Sequence, residues 1–231
     1  MAIKANAAIQ NKRGDRRLNF FTSHPNQAIA CPRSSPSLGD AAMSHALSPE
    51  LSREAAAIAP RIDRPIVLVG LMGVGKSTVG RRLAKLLRRD FVDVDEEIEH
   101  AAARSISEIF AEFGEPYFRD GERRVISRLM KEGHGVIATG GGAFVDPTTR
   151  ALILEQGIAI WLDCDIETLV KRTALRKTRP LLQTGDPHAI LRNLKDQRSA
   201  SYAEAPLHIV TDERPHEATV AQIVEALAQW L

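Results

Sequence analysis

The chain is 231 residues long, 44% hydrophobic and 26% charged with a formal net charge of +2, enough for one domain with a sizeable core. Its longest uncharged apolar runs, Ile66–Met72 and Gly157–Leu162, fall far short of the ~20 residues that a membrane-spanning helix needs. Two widely separated cysteines exclude a disulfide scaffold, while seven scattered histidines and 5% aromatics argue against a zinc enzyme and against sequence-specific RNA reading.

Residues 1–60 read as a disordered or poorly ordered extension, rich in Asn, Ser, Pro and Ala and without sustained apolar periodicity. Residues 1–39 set Lys4, Lys12, Arg13, Arg16, Arg17 and Arg33 against Asp15, a charge of +5 that leaves −3 on the remaining 192 residues. The folded part is therefore mildly acidic and carries no nucleic-acid footprint. The basic, acid-poor composition of residues 1–39 has the texture of an organellar transit peptide; the competing reading makes Met43 the start. Ser48–Ala59 contains one short helix, with Pro49 at a first-turn position.

From residue 61 onward the texture is that of a single domain. Short apolar runs at Ile66–Val69, Phe91–Val94, Gly135–Thr139, Ile158–Leu162 and Leu207–Val210 alternate with helical patterns. Those helices fall at Lys76–Leu87, Asp95–Ala102, Ile106–Phe113, Glu115–Lys131, Thr148–Glu155, Ile166–Arg172, His188–Ala200 and Glu217–Trp230. Such alternation predicts a three-layer α/β/α fold over a five-stranded parallel sheet. Trp161 and Trp230 are expected in packing roles, and the Arg81–Arg89 basic run on a solvated helix face.

The first strand runs into Gly70-Leu-Met-Gly73-Val74-Gly75-Lys76-Ser77, a complete G-x-x-x-x-G-K-[ST] match. Glycines let main-chain N–H groups close around phosphate oxygens, and the helix opening at Lys76 turns its positive end toward them. The Lys76 ammonium reaches β- and γ-phosphates and the Ser77 hydroxyl is a ligand for Mg²⁺. No Asn-Lys-x-Asp base-reading stretch follows, which excludes a switch GTPase, and the domain is small for a motor; a small-molecule kinase remains. Asp93 and Asp95 fall on one face if the second strand continues that far, or act as a helix N-cap with first-turn acids.

Five further motifs, in order, carry a resemblance: Phe91-Val-Asp93-Val-Asp95-Glu, Ile109 to Glu122 with Gly114-Glu115-Pro and Arg119, Gly140-Gly141-Gly142-Ala143, Arg179-Pro180-Leu-Leu and Arg198-Ser-Ala-Ser-Tyr202. Across nearly the whole domain the chain resembles the shikimate kinases. The resemblance implies a P-loop kinase fold with a mobile lid, at about residues 173–187, and transfer of the γ-phosphoryl group of ATP to the 3-hydroxyl of shikimate. It implies ATP binding by Gly73, Val74, Gly75, Lys76, Ser77 and Thr78, with Arg172 and Arg214 at the adenine and Arg179 closing on the transferring phosphate. Arg119 and Arg198 are implied to clamp the substrate carboxylate bidentately. Gly141 and Gly142 face the ring, and Asp95 orients or deprotonates the attacking hydroxyl. One Mg²⁺ accompanies ATP, with Asp93 joining Ser77 in its shell. Glu122, at i+3 from Arg119, can hold that guanidinium in place. Gly121 departs from the family, which tends to have an apolar or bulky residue there.

The expected enzyme is a cytoplasmic monomer acting on small molecules. Its rivals are a gluconate or nucleoside-monophosphate kinase, and a kinase-like ligand sensor; Lys76, Ser77, Asp95 and Arg179, all present, speak for catalysis.

Overall fold

The computed structural model describes residues 48–174 and 185–231. Five strands form one sheet: β1 (Ile66–Val69), β2 (Phe91–Asp93), β3 (Val136–Ala138), β4 (Ile158–Cys164) and β5 (Leu207–Thr211). They run in the order β2-β3-β1-β4-β5, and every pairing is parallel. All four residues of central β1 are buried, as an unbroken apolar run covered on both faces must be. Edge strand β5 instead alternates, with His208 and Val210 exposed. The strand positions match the apolar runs of the sequence to within a residue or two.

Helices flank the sheet. Those between β1 and β3 are α2 (Lys76–Leu87), α3 (Val94–Ala102) and α4 (Ile106–Glu132); α5 (Pro147–Gln156), α6 (Ile166–Ala174), α7 (Pro187–Tyr202) and α8 (His216–Trp230) follow. Within α4 the backbone breaks at Gly114 (φ 78°, ψ 173°), where the sequence separates two helical runs. Pro116 then sits in the first turn of the second run, where its missing N–H costs nothing. That second run passes unbroken through Gly121, which is buried. Among the described residues, no helix is long and apolar enough to cross a membrane.

The boundary of the extension moves. Residues expected to lie outside the domain form α1 (Pro49–Ile58), capped by Ser48 and continued by a 3₁₀ turn at Ala59–Arg61. Leu51, Ala55 and Ile58 are buried in the core, and α1 packs against α8 and α2. Arg89, placed by sequence on a solvated face, donates instead to the carbonyls of Ala59 (3.1 Å) and Ile62 (2.6 Å), tying this segment down. Other members of that basic run form surface ion pairs, Arg81 with Glu96 and Arg82 with Glu217. Trp230, expected to pack, is 39% exposed, with the Arg64 guanidinium over its ring.

Candidate active site

Because all strands point the same way, the loops leaving β1, β2 and β3 emerge together at the carboxyl edge of three adjacent strands, where open α/β sheets place their ligands. The β1 loop is the candidate phosphate cradle. Gly75 caps α2 with a left-handed φ of 102°, a conformation that side-chain-bearing residues rarely adopt. Lys76 is buried, and its Nζ donates to the carbonyls of Gly70 (2.8 Å) and Leu71 (2.9 Å), holding the ammonium inside the loop. Gly73 and half-buried Thr78 flank it, and the Val74 side chain is buried.

The acids of the β2 loop lie beside it. Strand β2 ends at Asp93, so Asp93 and Asp95 do not share a strand face; the chain turns helical at Val94, with Asp93 as N-cap. Asp93 serves two neighbours, its Oδ1 accepting from the Asp95 N–H (3.1 Å) and its Oδ2 from the Ser77 hydroxyl (2.6 Å). The N-cap reading of this acid therefore holds, and capping leaves its second oxygen on the Ser77 hydroxyl. Ser77 and Asp93 offer oxygen only, the donor type that suits Mg²⁺. Among the described residues no group of three or more His, Cys, Asp or Glu could hold a metal. The protein would thus fill only part of an octahedral shell and leave the rest to phosphate and water, which is how Mg²⁺ is usually held.

The loop after β3 brings the third set together. A Cβ on Gly140 would lie 2.8 Å from both Asp95 Oδ1 and Glu122 Oε1, so two carboxylates from different helices meet at that glycine. A Cβ on Gly142 would lie 2.7 Å from the Arg119 Cζ, a space only glycine leaves open. Arg119 pairs with Glu122 (2.7 Å) and Glu115 (3.1 Å). Burial opposes the Arg119 charge, but these two carboxylates more than offset it. Glu122 is only 2% exposed; burial pushes its carboxyl above the ordinary range despite Arg119, and Asp95 and Asp146 add to the rise. Its Oε1 has no hydrogen-bond partner among the described residues. From α7, Arg198 Nη1 donates to the Gly141 carbonyl (2.9 Å).

On the other side of the cradle, Arg172 donates to the carbonyls of Val74 (3.4 Å) and Asp212 (2.5 Å), strapping the end of α6 across the cradle and the β5–α8 loop. Arg214 is on that same loop, exposed and paired with Asp212 (2.6 Å). Arg179, and most of the expected lid, fall outside the described residues.

Sequence reasoning passed over two residues. His216, opening α8, stands against the cradle, its Cε1 3.1 Å from where a Gly75 Cβ would be; burial first, then Arg172 and Arg82, lower its pKa. The Tyr202 hydroxyl donates to Gly141, and the signal was its i+4 spacing from Arg198, which puts both on one face of α7.

Known proteins resemble this chain over most of its length. The family model described as shikimate kinase matches residues 72–228. A shikimate kinase of Novosphingobium aromaticivorans is 59% identical over 184 residues, covering 78% of this chain and 95% of that relative. One from Paramagnetospirillum magneticum is 51% identical over 189 residues, covering 82% and 97%. The shikimate kinase of Acinetobacter baumannii, solved in complex with shikimate, superposes with a TM-score of 0.71 at 37% identity, covering 76% of this chain and 97% of that one.

Proposed function

The chain belongs to the shikimate kinase family and transfers the γ-phosphoryl group of ATP to the 3-hydroxyl of shikimate; we propose that the three loops at the carboxyl edge of the sheet divide this task. Main-chain N–H groups of Gly73–Thr78 and the Lys76 ammonium hold the ATP phosphates, with Nζ leaving the Gly70 and Leu71 carbonyls for phosphate oxygens. Arg172, spending its nitrogens on two carbonyls, keeps its planar face for adenine. Arg214 closes the same pocket from the β5–α8 loop.

The acceptor lies over the glycine turn. Arg119 and Arg198 take the shikimate carboxylate, and the N–H groups of Gly141 and Gly142 approach the ring. Asp95 accepts the proton of the 3-hydroxyl as that oxygen bonds to the γ-phosphorus and the bridge to the β-phosphate breaks, releasing ADP. Arg179 supplies positive charge to the transferring phosphoryl group, and the lid at residues 173–187 excludes water as a competing acceptor. Ser77 and Asp93, side by side at the cradle, would hold one Mg²⁺, which when bound would neutralise charge on the phosphates. All of these groups come from one chain, and we read the enzyme as a cytoplasmic monomer.

One observation carries the assignment: Asp95, Glu122 and Arg119 converge on a glycine turn that also touches the phosphate cradle, Gly141 lying against Met72 of the P-loop. The test is ADP release with ATP and Mg²⁺, with and without shikimate, beside gluconate and a nucleoside-monophosphate panel. Turnover that requires shikimate, with a product heavier by one phosphoryl group, supports it. Turnover of another acceptor alone would overturn the acceptor half.

A further inference from the structure

The three carbonyls of the glycine turn are all occupied from within the protein. The Gly140 carbonyl accepts from the Ala143 N–H (3.2 Å) and the Gly142 carbonyl from the Val145 N–H (3.1 Å). The Gly141 carbonyl receives two donors, Arg198 Nη1 (2.9 Å) and the Tyr202 hydroxyl. A turn in this state offers donors and withholds acceptors, the polarity that suits an anion.

We propose that Tyr202 is the positioning residue that keeps this turn donor-only and aims the Gly142 N–H at the carboxylate of the acceptor. The Gly141 carbonyl and the Gly142 N–H belong to one planar trans peptide and point in opposite directions. Anchoring the carbonyl on α7 therefore turns the N–H away from α7, on a residue whose Cα the Arg119 guanidinium closely approaches. Tyr202 shares this carbonyl with Arg198 and is itself in hydrogen-bond contact with that guanidinium, so the carbonyl keeps one donor when Arg198 turns to the substrate. The phenol is built for a fixed role. It is 1% exposed, its ring stacks on Trp161 with centroids 5.9 Å apart, and Trp161 is itself stacked on His208 at 4.0 Å. Trp161 also lines Gly70 at the mouth of the phosphate cradle, so the same aromatic pair supports both halves of the site. Burial pushes the Tyr202 phenol up to about 12, so it remains a proton donor throughout the working range.

This inference rests on the acceptor-site reading above, and the experiment separates the two. If the wild-type chain does not phosphorylate shikimate, that reading fails whatever Tyr202 does. Given wild-type turnover, Tyr202→Phe is expected to raise the shikimate KM about five- to tenfold, the loss of one buried hydrogen bond. The ATP KM should stay within about twofold, and the increase should be constant between pH 6 and 9, because the phenol does not ionise there. An unchanged shikimate KM overturns the proposal. So does a loss in which both KM values and thermal stability move together, since that marks a packing role only. A second measurement needs no variant: in ¹⁵N-glycine-labelled wild type, shikimate should displace the Gly142 amide resonance. A Gly142 resonance that does not move under saturating shikimate overturns it equally.

Discussion

Asp95 Oδ1 and Glu122 Oε1 point at the same glycine, each 2.8 Å from where a Gly140 Cβ would stand. Two carboxylates facing one spot repel, and the buried member is the one that yields: Glu122, 2% exposed, is pushed up by burial and then by Asp95 and Asp146, against the pull of Arg119.

The raised Glu122 carboxyl has a stability consequence whose sign is fixed. Between the ordinary glutamate value of 4.5 and its higher folded value, the folded chain binds more protons than the unfolded one. Stability contributed by this group therefore falls as pH rises through that window. Glu122→Gln removes the titration, so the urea midpoint of the variant should gain on wild type as pH is raised from 4 to 8. A difference that is constant with pH would show that Glu122 does not titrate in this window.

Arg119 separates binding from folding. Arg119→Ala should raise the shikimate KM about 10- to 100-fold, the worth of charge-assisted bonds of about 1.5–3 kcal/mol, with ATP KM nearly unchanged. It should also destabilise the fold by about 3 kcal/mol, because buried Glu122 loses its cation. Adding Glu122→Gln should recover much of the stability and none of the KM. Recovery of both would mean that Arg119 only supports the helix.

What could be read in advance divides along physical lines. The P-loop and α2 were legible because their determinants are consecutive: glycines, Lys76 and Ser77, then an apolar stripe with 3.6 periodicity. The break at Gly114 was legible for the same local reason. The turn at Val94 was not, since Asp93 reads equally as a strand end and as a cap, and only the hydrogen bond to the Asp95 N–H decides. Least legible was α1, whose apolar residues look too few to matter until α8, more than 150 residues later, is seen to cover them.

That packing makes Ile58 a test of the domain boundary. It is 3% exposed, and Ile58→Ala should cost about 2–4 kcal/mol through lost burial and a cavity, read as a drop in thermal midpoint. Turnover and both KM values should be unchanged, because α1 lies away from the carboxyl edge of the sheet. A variant as stable as wild type would return this segment to the extension.

Asp93 offers the sharpest division between a structural and a chemical role, because its two oxygens serve different partners. Oδ1 caps α3 and Oδ2 faces Ser77. Asn caps a helix about as well as Asp, so Asp93→Asn should leave the thermal midpoint within a few degrees. It removes the charge that would draw a divalent cation to the Ser77 hydroxyl, and the Mg²⁺ concentration for half-maximal rate should rise about tenfold or more, the usual cost of disturbing a group that supports a metal site. Ser77→Ala should shift it in the same direction, and the double variant should fall short of the product of the two, since both act on one ion. If Asp93→Asn instead lowers the thermal midpoint while the Mg²⁺ requirement stays put, the carboxylate is a cap alone and the ion must be held by Ser77 and the phosphates.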